Sequence, residues 1–551
     1  MYPKKELAQL VISVCHQYAI DTVVISPGSR NAPLTIGFSN HPEIETLSVV
    51  DERCAAFFAM GIAQQKQKPV VIVCSSGSAL LNYYPAISEA FYSQIPLVVI
   101  SADRPKNRID IGDGQTIRQE NVFENHILFS ANLVEGNEYT DENKEKVSKA
   151  LQNAIQQKGP VHINVPFDEP LYETVDVLQE YPVIKEEVSV LKPEKESIDY
   201  YASIWNSASK KMILVGSNFP DNKLQQVLDR FIEEPSVLVL TETTSNVYHK
   251  KFINSIDKLI FPLKEEEFKV LQPEVLLTLG GMVVSKKIKQ FLRAFKPSHH
   301  WHLDDLKVMD TYQCLSSFIQ VKPATFLRSL YNKTVTVQSA YQSDWLQVKE
   351  ERAVKHAKYL EKCEYSDLKV FEAILNTIPN EYQFQISNSS TIRYSLLFDV
   401  NPSLNIFCNR GTSGIDGSTS TAIGAAYVNE KPTVFITGDL SFFYDSNALW
   451  NTNIPSNFRI IILNNGGGGI FRFIPGPLTT NATDYFETPH NLTAEHLAKM
   501  YNFDYDAVGN LSELDKVLEN FYNEGSQPRI LEVFTPKEVN DIVLKNYFKS
   551  L

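Results

Sequence analysis

Short β-branched runs, each closed by a small or turn-forming residue, alternate along this chain with stretches whose apolar positions recur at helical spacing. Runs at 21–26, 69–74, 96–101 and 161–165 read as strands in the first third. Runs at 211–216, 236–240 and 274–280 follow in the middle, and runs at 383–387, 404–408, 433–437, 459–463 and 529–534 in the last part. Near-continuous apolar strands separated by helices predict parallel sheets covered on both faces. With 551 residues, the chain has room for about three domains of roughly 150–200 residues each. The expected fold is therefore α/β, with three doubly wound parallel-sheet domains over residues 1–183, 198–345 and 346–551. The first and third read as two copies of one architecture. A charged connector at 184–197 is the expected linker between the first two.

Composition narrows the class. A hydrophobic share of 43% and a charged share of 21% are those of an ordinary globular protein. The net charge of −13 argues against nucleic acid as a partner, because phosphate binding needs a basic surface. The longest apolar runs fall far short of the roughly 20 residues that span a bilayer, so no membrane insertion is expected. The N-terminal Met-Tyr-Pro-Lys-Lys-Glu lacks the apolar core of a signal peptide. Cysteines 15, 54, 74, 314, 363 and 408 show neither metal nor disulfide spacing, and a reduced cytoplasmic setting is the expectation.

The most telling chemistry lies at 438–469. Gly438-Asp439-Leu440 follows one strand run, and Asn464-Asn465-Gly466-Gly467 follows the next. Neighbouring parallel strands would bring the two tips together, in the crevice where open α/β sheets bind ligands. A carboxylate from Asp439, an amide oxygen from Asn465 and a carbonyl from the glycine turn make a hard oxygen set. Such a set suits Mg²⁺ shared with substrate phosphates. Glycines 466–469 allow close approach of the main chain to an anion. Two strand-end turns rich in Gly and Asn are the plain alternative.

Further blocks fall at strand ends or helix starts. Ser26-Pro27-Gly28-Ser29-Arg30 would clamp a carboxylate at a helix N-terminus, or simply cap the helix. Asp51-Glu52-Arg53 opens an otherwise apolar helix. Glu52 is either a proton partner in a dry cleft or a first-turn acid favoured by the helix dipole. An irregular loop carries Arg104, Gln115 and Arg118. Ser389 and Arg393 sit in one serine-rich turn and Arg410 in another, each following a strand run. None of these blocks holds a histidine or a nucleophilic Ser/His pair, which suits an enzyme whose cofactor does the hard chemistry. His299, His300 and His302 read as a surface turn. The middle part has no complete G-x-G-x-x-G, which argues against dinucleotide binding there.

Together these blocks resemble the thiamine-diphosphate-dependent 2-succinyl-5-enolpyruvyl-6-hydroxy-3-cyclohexene-1-carboxylate synthases of menaquinone biosynthesis. The resemblance is sharpest in Ser-Pro-Gly-Ser-Arg (26–30), Asp-Glu-Arg (51–53), Ala-Asp-Arg-Pro (102–105), Asn-Arg-Gly-Thr-Ser-Gly-Ile-Asp-Gly (409–417) and Gly-Asp-Leu-Ser (438–441). It implies a thiamine-diphosphate enzyme with Mg²⁺ or Mn²⁺ that decarboxylates 2-oxoglutarate and adds the remaining fragment to isochorismate. By this resemblance Glu52, Ser389 and Arg393 are catalytic, with Glu52 on the cofactor's aminopyrimidine. Ser389, Gly414, Ile415, Gly438, Asp439, Leu440, Ser441, Asn465, Gly467 and Ile470 contact the cofactor, and Ile415 keeps it bent. Asp439, Asn465 and the Gly467 carbonyl hold the metal. Ser29, Arg30, Arg104, Gln115, Lys287, Arg393 and Arg410 bind the two dianions, beside an apolar wall of Ile470, Phe471 and Ile474. The resemblance also implies a homodimer, or a homotetramer, in which Glu52 serves the cofactor of another subunit. The first domain would bind the pyrimidine and the third the diphosphate.

Two positions depart from the pattern. Gly114 stands where some relatives carry Asn, and Lys287 where an Arg occurs, so that a point charge replaces a bidentate fork. Three other readings remain open at this level. They are another thiamine-dependent 2-oxo-acid decarboxylase of the acetolactate-synthase kind, a non-catalytic anion-binding homologue, and a nicotinamide dehydrogenase.

Overall fold

The computed structural model describes residues 1–183, 195–473 and 476–551. Residues 184–194 of the predicted connector, and Ile474, lie outside the described residues. The first body is a six-stranded sheet of β1 (Thr22–Ile25), β2 (Glu45–Ser48), β3 (Val70–Cys74), β4 (Leu97–Asp103), β5 (Ser130–Asn132) and β6 (Val161–Pro166). Its order is β2-β1-β3-β4-β6-β5, with every pairing parallel. Two of its helices matter below: α1 (Glu52–Lys66) and α2 (Tyr84–Ser93).

The middle body has β7 (Lys211–Val215), β8 (Val237–Thr241), β9 (Val275–Leu279), β10 (His299–Asp304) and β11 (Ser317–Gln320), in the order β8-β7-β9-β10-β11. The third has β12 (Gln383–Ile386), β13 (Asn405–Phe407), β14 (Thr433–Gly438), β15 (Phe458–Asn464), β16 (Asp504–Val508) and β17 (Arg529–Phe534). These run β13-β12-β14-β15-β17-β16, again all parallel. Counted from its own first strand, the third sheet repeats the strand order of the first. The expected pair of like architectures is therefore present, with a distinct sheet between them. In the third body, α3 (Ser418–Val428) follows β13 and α4 (Asp439–Tyr444) follows β14 directly.

α1 and α3 bind the first and third bodies together. A Cβ on Gly61 would stand 2.1 Å from the Thr421 carbonyl oxygen, and one on Gly424 2.0 Å from that of Phe58. The helices can approach this closely because both crossing points lack side chains. Around them Phe57, Phe58 and Ile62 share one core with Ala422, Ile423 and Ala426. Gly424→Ala would improve intrinsic helix propensity but drive a methyl into a backbone oxygen. It is expected to destabilise the protein by about 1–3 kcal/mol, the usual cost of overpacking a tight core. A urea or thermal melt checks this, and an unchanged or raised midpoint would mean that the crossing can relax. The middle body docks on the third through paired hydrogen bonds. Asn246 Nδ2 donates to the Ile406 carbonyl at 2.8 Å, and the Ile406 N–H donates to Asn246 Oδ1 at 2.8 Å.

The histidine trio is not a surface turn. It forms β10, an interior strand of the middle sheet, with His300 and His302 buried. The hydroxyl of Thr278 on β9 lies 2.9 Å from His300 Nε2 and 2.9 Å from His302 Nδ1. Trp301, alternating to the other face, enters the core. A buried neutral imidazole needs a polar partner, and the neighbouring strand supplies one that the local pattern does not reveal. Burial lowers both rings' pKa values, His300 to about 4, so the imidazoles stay uncharged. Among the described residues no helix is long and apolar enough to cross a membrane.

Candidate active site

β14 and β15 pair in register with Gly438 opposite Leu463, so their tips present Asp439 and the Asn464-Asn465-Gly466-Gly467 turn side by side. The Gly467 N–H donates to Asp439 Oδ2 at 3.0 Å and the Leu440 N–H to Asp439 Oδ1 at 2.6 Å. Asp439 is buried, and desolvation raises its pKa against the lowering pull of these N–H groups and of His490. A cation at the carboxylate would reverse that shift. His490 Nε2 stands 3.4 Å from Asp439 Oδ2. The Leu492 N–H donates to His490 Nδ1 at 3.1 Å, which leaves the hydrogen of a neutral ring on Nε2.

Asn465 donates through Nδ2 to Asp367 Oδ2 at 3.0 Å, and Thr535 Oγ1 donates to Asp367 Oδ1 at 2.6 Å. The amide is thereby oriented, with Oδ1 left for a ligand. Burial pushes the Asp367 carboxyl up to about 6, opposed by the hydrogen bonds from Thr535 and Asn465. Gly467, with φ of 146°, has a backbone that other residues rarely adopt, and a Cβ there would lie 2.5 Å from the Glu487 carbonyl oxygen. A Cβ on Gly438 would meet nothing nearer than Thr391 Oγ1 at 3.8 Å, so open space lies over the β14 tip. Among the described residues no three His, Cys, Asp or Glu side chains converge as a metal cage. One carboxylate, one free amide oxygen, a glycine carbonyl and a cradle without side chains are what a diphosphate-bound Mg²⁺ requires. The residues fit that group.

Asn388 joins the two arginine-bearing turns. Its Nδ2 donates to the carbonyls of Asn409 at 2.6 Å and Gly414 at 2.8 Å, while Arg410 Nη1 donates to its Oδ1 at 2.7 Å. Ser441 Oγ donates to the Ile415 carbonyl at 2.7 Å, and the Ile415 side chain remains 37% exposed, free to support a ligand. Arg393 Nη1 donates to the carbonyl of Ser389, whose φ of 70° lies in the left-handed region. Burial, then the neighbouring Arg410, lowers the Arg393 pKa, so two cations share this corner. Lys287, Arg393, Asn465 and Ile470 line one cavity of about 550 Å³ between the middle and third bodies. Asp257, half-buried beside Lys287 and Arg393, is the counter-charge. Lys287 also lies over the Phe261 ring, 4.6 Å from its centroid. Phe471 packs on Phe486 with centroids 5.2 Å apart, at the edge of the same region.

The remaining predicted residues lie on the first body. Glu52 opens α1, where Asp51 caps the helix by accepting from the Cys54 N–H at 3.1 Å. Its carboxylate accepts from Asn82 Nδ2 at 3.2 Å. Buried Arg30 donates to the Phe167 carbonyl at 2.9 Å and pairs with Glu169 at 3.2 Å, while Ser29 beside it is exposed. Arg104 Nε donates to the Gly114 carbonyl at 2.9 Å, and exposed Gln115 has φ of 56°. Among the described residues no hydrogen bond or ion pair joins Glu52, Ser29, Arg30, Arg104 or Gln115 to the Asp439 and Asn465 tips. The predicted residues thus fall into two groups, one on the first body and one around the third. Asp367, His490, Asp257 and Glu89 escape the sequence reading. Only Glu89 leaves a trace in the sequence, as an acid within the apolar face of α2 beside Ala86, Ile87 and Ala90.

Paired like-ordered α/β bodies, with a carboxylate and an amide at adjacent strand tips over a glycine cradle, define a thiamine-diphosphate enzyme. Family models agree over most of the chain. Residues 5–128 match the N-terminal TPP binding domain of thiamine pyrophosphate enzymes, 191–386 the middle domain, and 388–533 the C-terminal TPP binding domain. Among curated proteins, the chain is 56% identical over 554 residues to a 2-succinyl-5-enolpyruvyl-6-hydroxy-3-cyclohexene-1-carboxylate synthase from Flavobacterium johnsoniae, covering all of both chains. It is 54% identical to a protein of the same name from Flavobacterium psychrophilum, again over both full lengths. One from Christiangramia forsetii is 52% identical, over 100% of this chain and 99% of that one. The chain belongs to the 2-succinyl-5-enolpyruvyl-6-hydroxy-3-cyclohexene-1-carboxylate synthase family.

Proposed function

We propose that this protein decarboxylates 2-oxoglutarate and transfers the remaining four-carbon fragment to isochorismate, yielding 2-succinyl-5-enolpyruvyl-6-hydroxy-3-cyclohexene-1-carboxylate and CO₂ on the route to menaquinone. The observation that carries this reading is that Lys287 and Arg393 line one cavity with Asn465, with Arg410 next to Arg393. Both substrates are dianions, and charge-assisted bonds to carboxylates need such cations. A pyruvate-type substrate has a single carboxylate and would leave part of this charge without use.

When bound, thiamine diphosphate supplies the nucleophilic carbon and the electron sink that loss of CO₂ requires. Asp439, Asn465 and the Gly467 carbonyl would hold Mg²⁺ or Mn²⁺ on its diphosphate. Gly414, Gly438, Leu440 and Ser441 shape the cradle, and Ile415 supports the cofactor. Glu52 would hold a proton at the aminopyrimidine. Ser389 and Arg393 orient the reacting substrate, while Ile470, Phe471 and Ile474 keep water from it. Ser29, Arg30, Arg104 and Gln115 would reach the second dianion. Residues 1–183 then serve as the pyrimidine-binding domain, 198–345 as the central domain and 346–551 as the diphosphate domain. Among the described residues Glu52 has no hydrogen bond or ion pair with the third body, which supports a homodimer in which two copies complete each other's sites. The free state of all six cysteines supports a cytoplasmic setting.

The test mixes purified protein, Mg²⁺ and thiamine diphosphate with each 2-oxo acid. CO₂ release from 2-oxoglutarate, with an isochorismate adduct of the expected mass, is the predicted result. Turnover of pyruvate in its place would move the assignment to the acetolactate type.

A further inference from the structure

Glu89 lies on α2, in the first body, and is 2% exposed. Its carboxylate bonds to the third body, 322 residues away in sequence. Oε1 accepts from the Gly411 N–H at 2.6 Å and from Ser93 Oγ at 2.7 Å. Oε2 accepts from the Thr412 N–H at 2.7 Å and from Thr412 Oγ1 at 2.8 Å. A buried carboxylate is tolerated when donors fill its lone pairs, and here four neutral donors do so. The chain is shaped around this contact, since a Cβ on Gly411 would lie 2.5 Å from the Glu89 carbonyl oxygen.

The turn that Glu89 grips carries Arg410. The peptide joining Arg410 to Gly411 donates its N–H to Glu89, while the guanidinium donates to Asn388 Oδ1 at 2.7 Å. Arg410 is thus held at both ends. The turn's other restraints, on Asn409 from Asn388 and Thr421 and on Ile415 from Ser441, come from the third body itself. Glu89 is the restraint that comes from the first body. We propose that Glu89 is a positioning residue, setting the reach of Arg410 toward a substrate carboxylate by locking the Gly411–Thr412 amides. This inference rests on the proposed role of Arg410 as a substrate ligand.

A glutamine at position 89 keeps the shape but turns one acceptor oxygen into an NH₂ facing N–H donors, so one of the two amides loses its partner. Because a displacement of about 1 Å can cost about 100-fold, Glu89→Gln is expected to raise KM for one of the two dianions by about tenfold or more. The affinity for thiamine diphosphate with Mg²⁺, read by fluorescence quenching, should change far less. Thr412→Val removes a single donor and should raise the same KM more mildly, in a protein whose melting temperature stays near that of the parent. The double variant Glu89→Gln with Arg410→Ala should lose no more than Arg410→Ala alone, because one residue acts through the other. If Arg410→Ala raises KM and Glu89→Gln does not, the inference falls while the substrate reading of Arg410 stands. If Arg410→Ala leaves both KM values unchanged, the two fall together. A lowered melting temperature and kcat with KM intact would mark Glu89 as a purely structural strut and also overturn the proposal.

Discussion

Glu52→Gln is expected to yield a folded protein that binds thiamine diphosphate and Mg²⁺ normally but turns over about 10²–10⁴-fold more slowly, the range a placed proton-transfer group supplies. The change is nearly isosteric. The helix cap is Asp51, not Glu52, so α1 should start where it does now. A glutamine oxygen can still accept from Asn82, which holds the present carboxylate at 3.2 Å. What disappears is the negative charge that would hold a proton on the aminopyrimidine. Stopped assays of CO₂ release, alongside calorimetric titration of the cofactor, separate the two effects. Activity within a few-fold of the parent would remove Glu52 from the chemistry. Loss of cofactor binding instead would make it an anchor.

Asp439→Ala acts at an earlier stage. The carboxylate is buried and accepts two main-chain N–H groups, one of them from the glycine turn at Gly467. Its removal would take away the proposed metal ligand and free the turn that carries the Gly467 carbonyl. Cofactor affinity in the presence of Mg²⁺ should fall by more than the roughly 10–100-fold that loss of a supporting residue around a metal costs. The melting temperature of the cofactor-free protein should change little or rise, because a desolvated carboxylate leaves the interior. Chelating the metal from the parent protein should reproduce the binding loss. Unchanged affinity in the variant would place the diphosphate elsewhere.

The parts of the fold legible in the sequence are those buried on two sides. β3, β4, β14 and β15 hold near-continuous apolar runs, β6 and β17 are strands of largely buried residues, and each ends within a residue or two of where its pattern predicts. The strands that the pattern omits include β2, β5, β11 and β16, all of which lie at sheet edges. An edge strand such as β16, Asp-Tyr-Asp-Ala-Val, is mostly solvent-facing and carries no apolar signal. β10 hides for another reason, since Thr278 on the next strand neutralises the polarity of its histidines.

The site divides in the same way. Asp439, Asn465 and the glycines are legible because one short stretch of strand, tip and turn carries the chemistry. Asp367 is not, because it meets Asn465 from 98 residues away and reads locally as a first-turn helix acid. His490 likewise reaches Asp439 from a segment with no motif of its own. Residues that orient a ligand by tertiary contact leave no spacing to detect.

The glycine crossing of α1 and α3 has one more consequence. With Gly61 and Gly424 set against opposing carbonyls, the first and third bodies are packed backbone to backbone within a chain. On the reading that Glu52 serves the cofactor of another subunit, this fixed packing would keep the glutamate from its own chain's proposed metal-binding tips. Under the proposed homodimer, catalytic output would scale with the square of protein concentration at high dilution, and a lone copy would be inert however well folded.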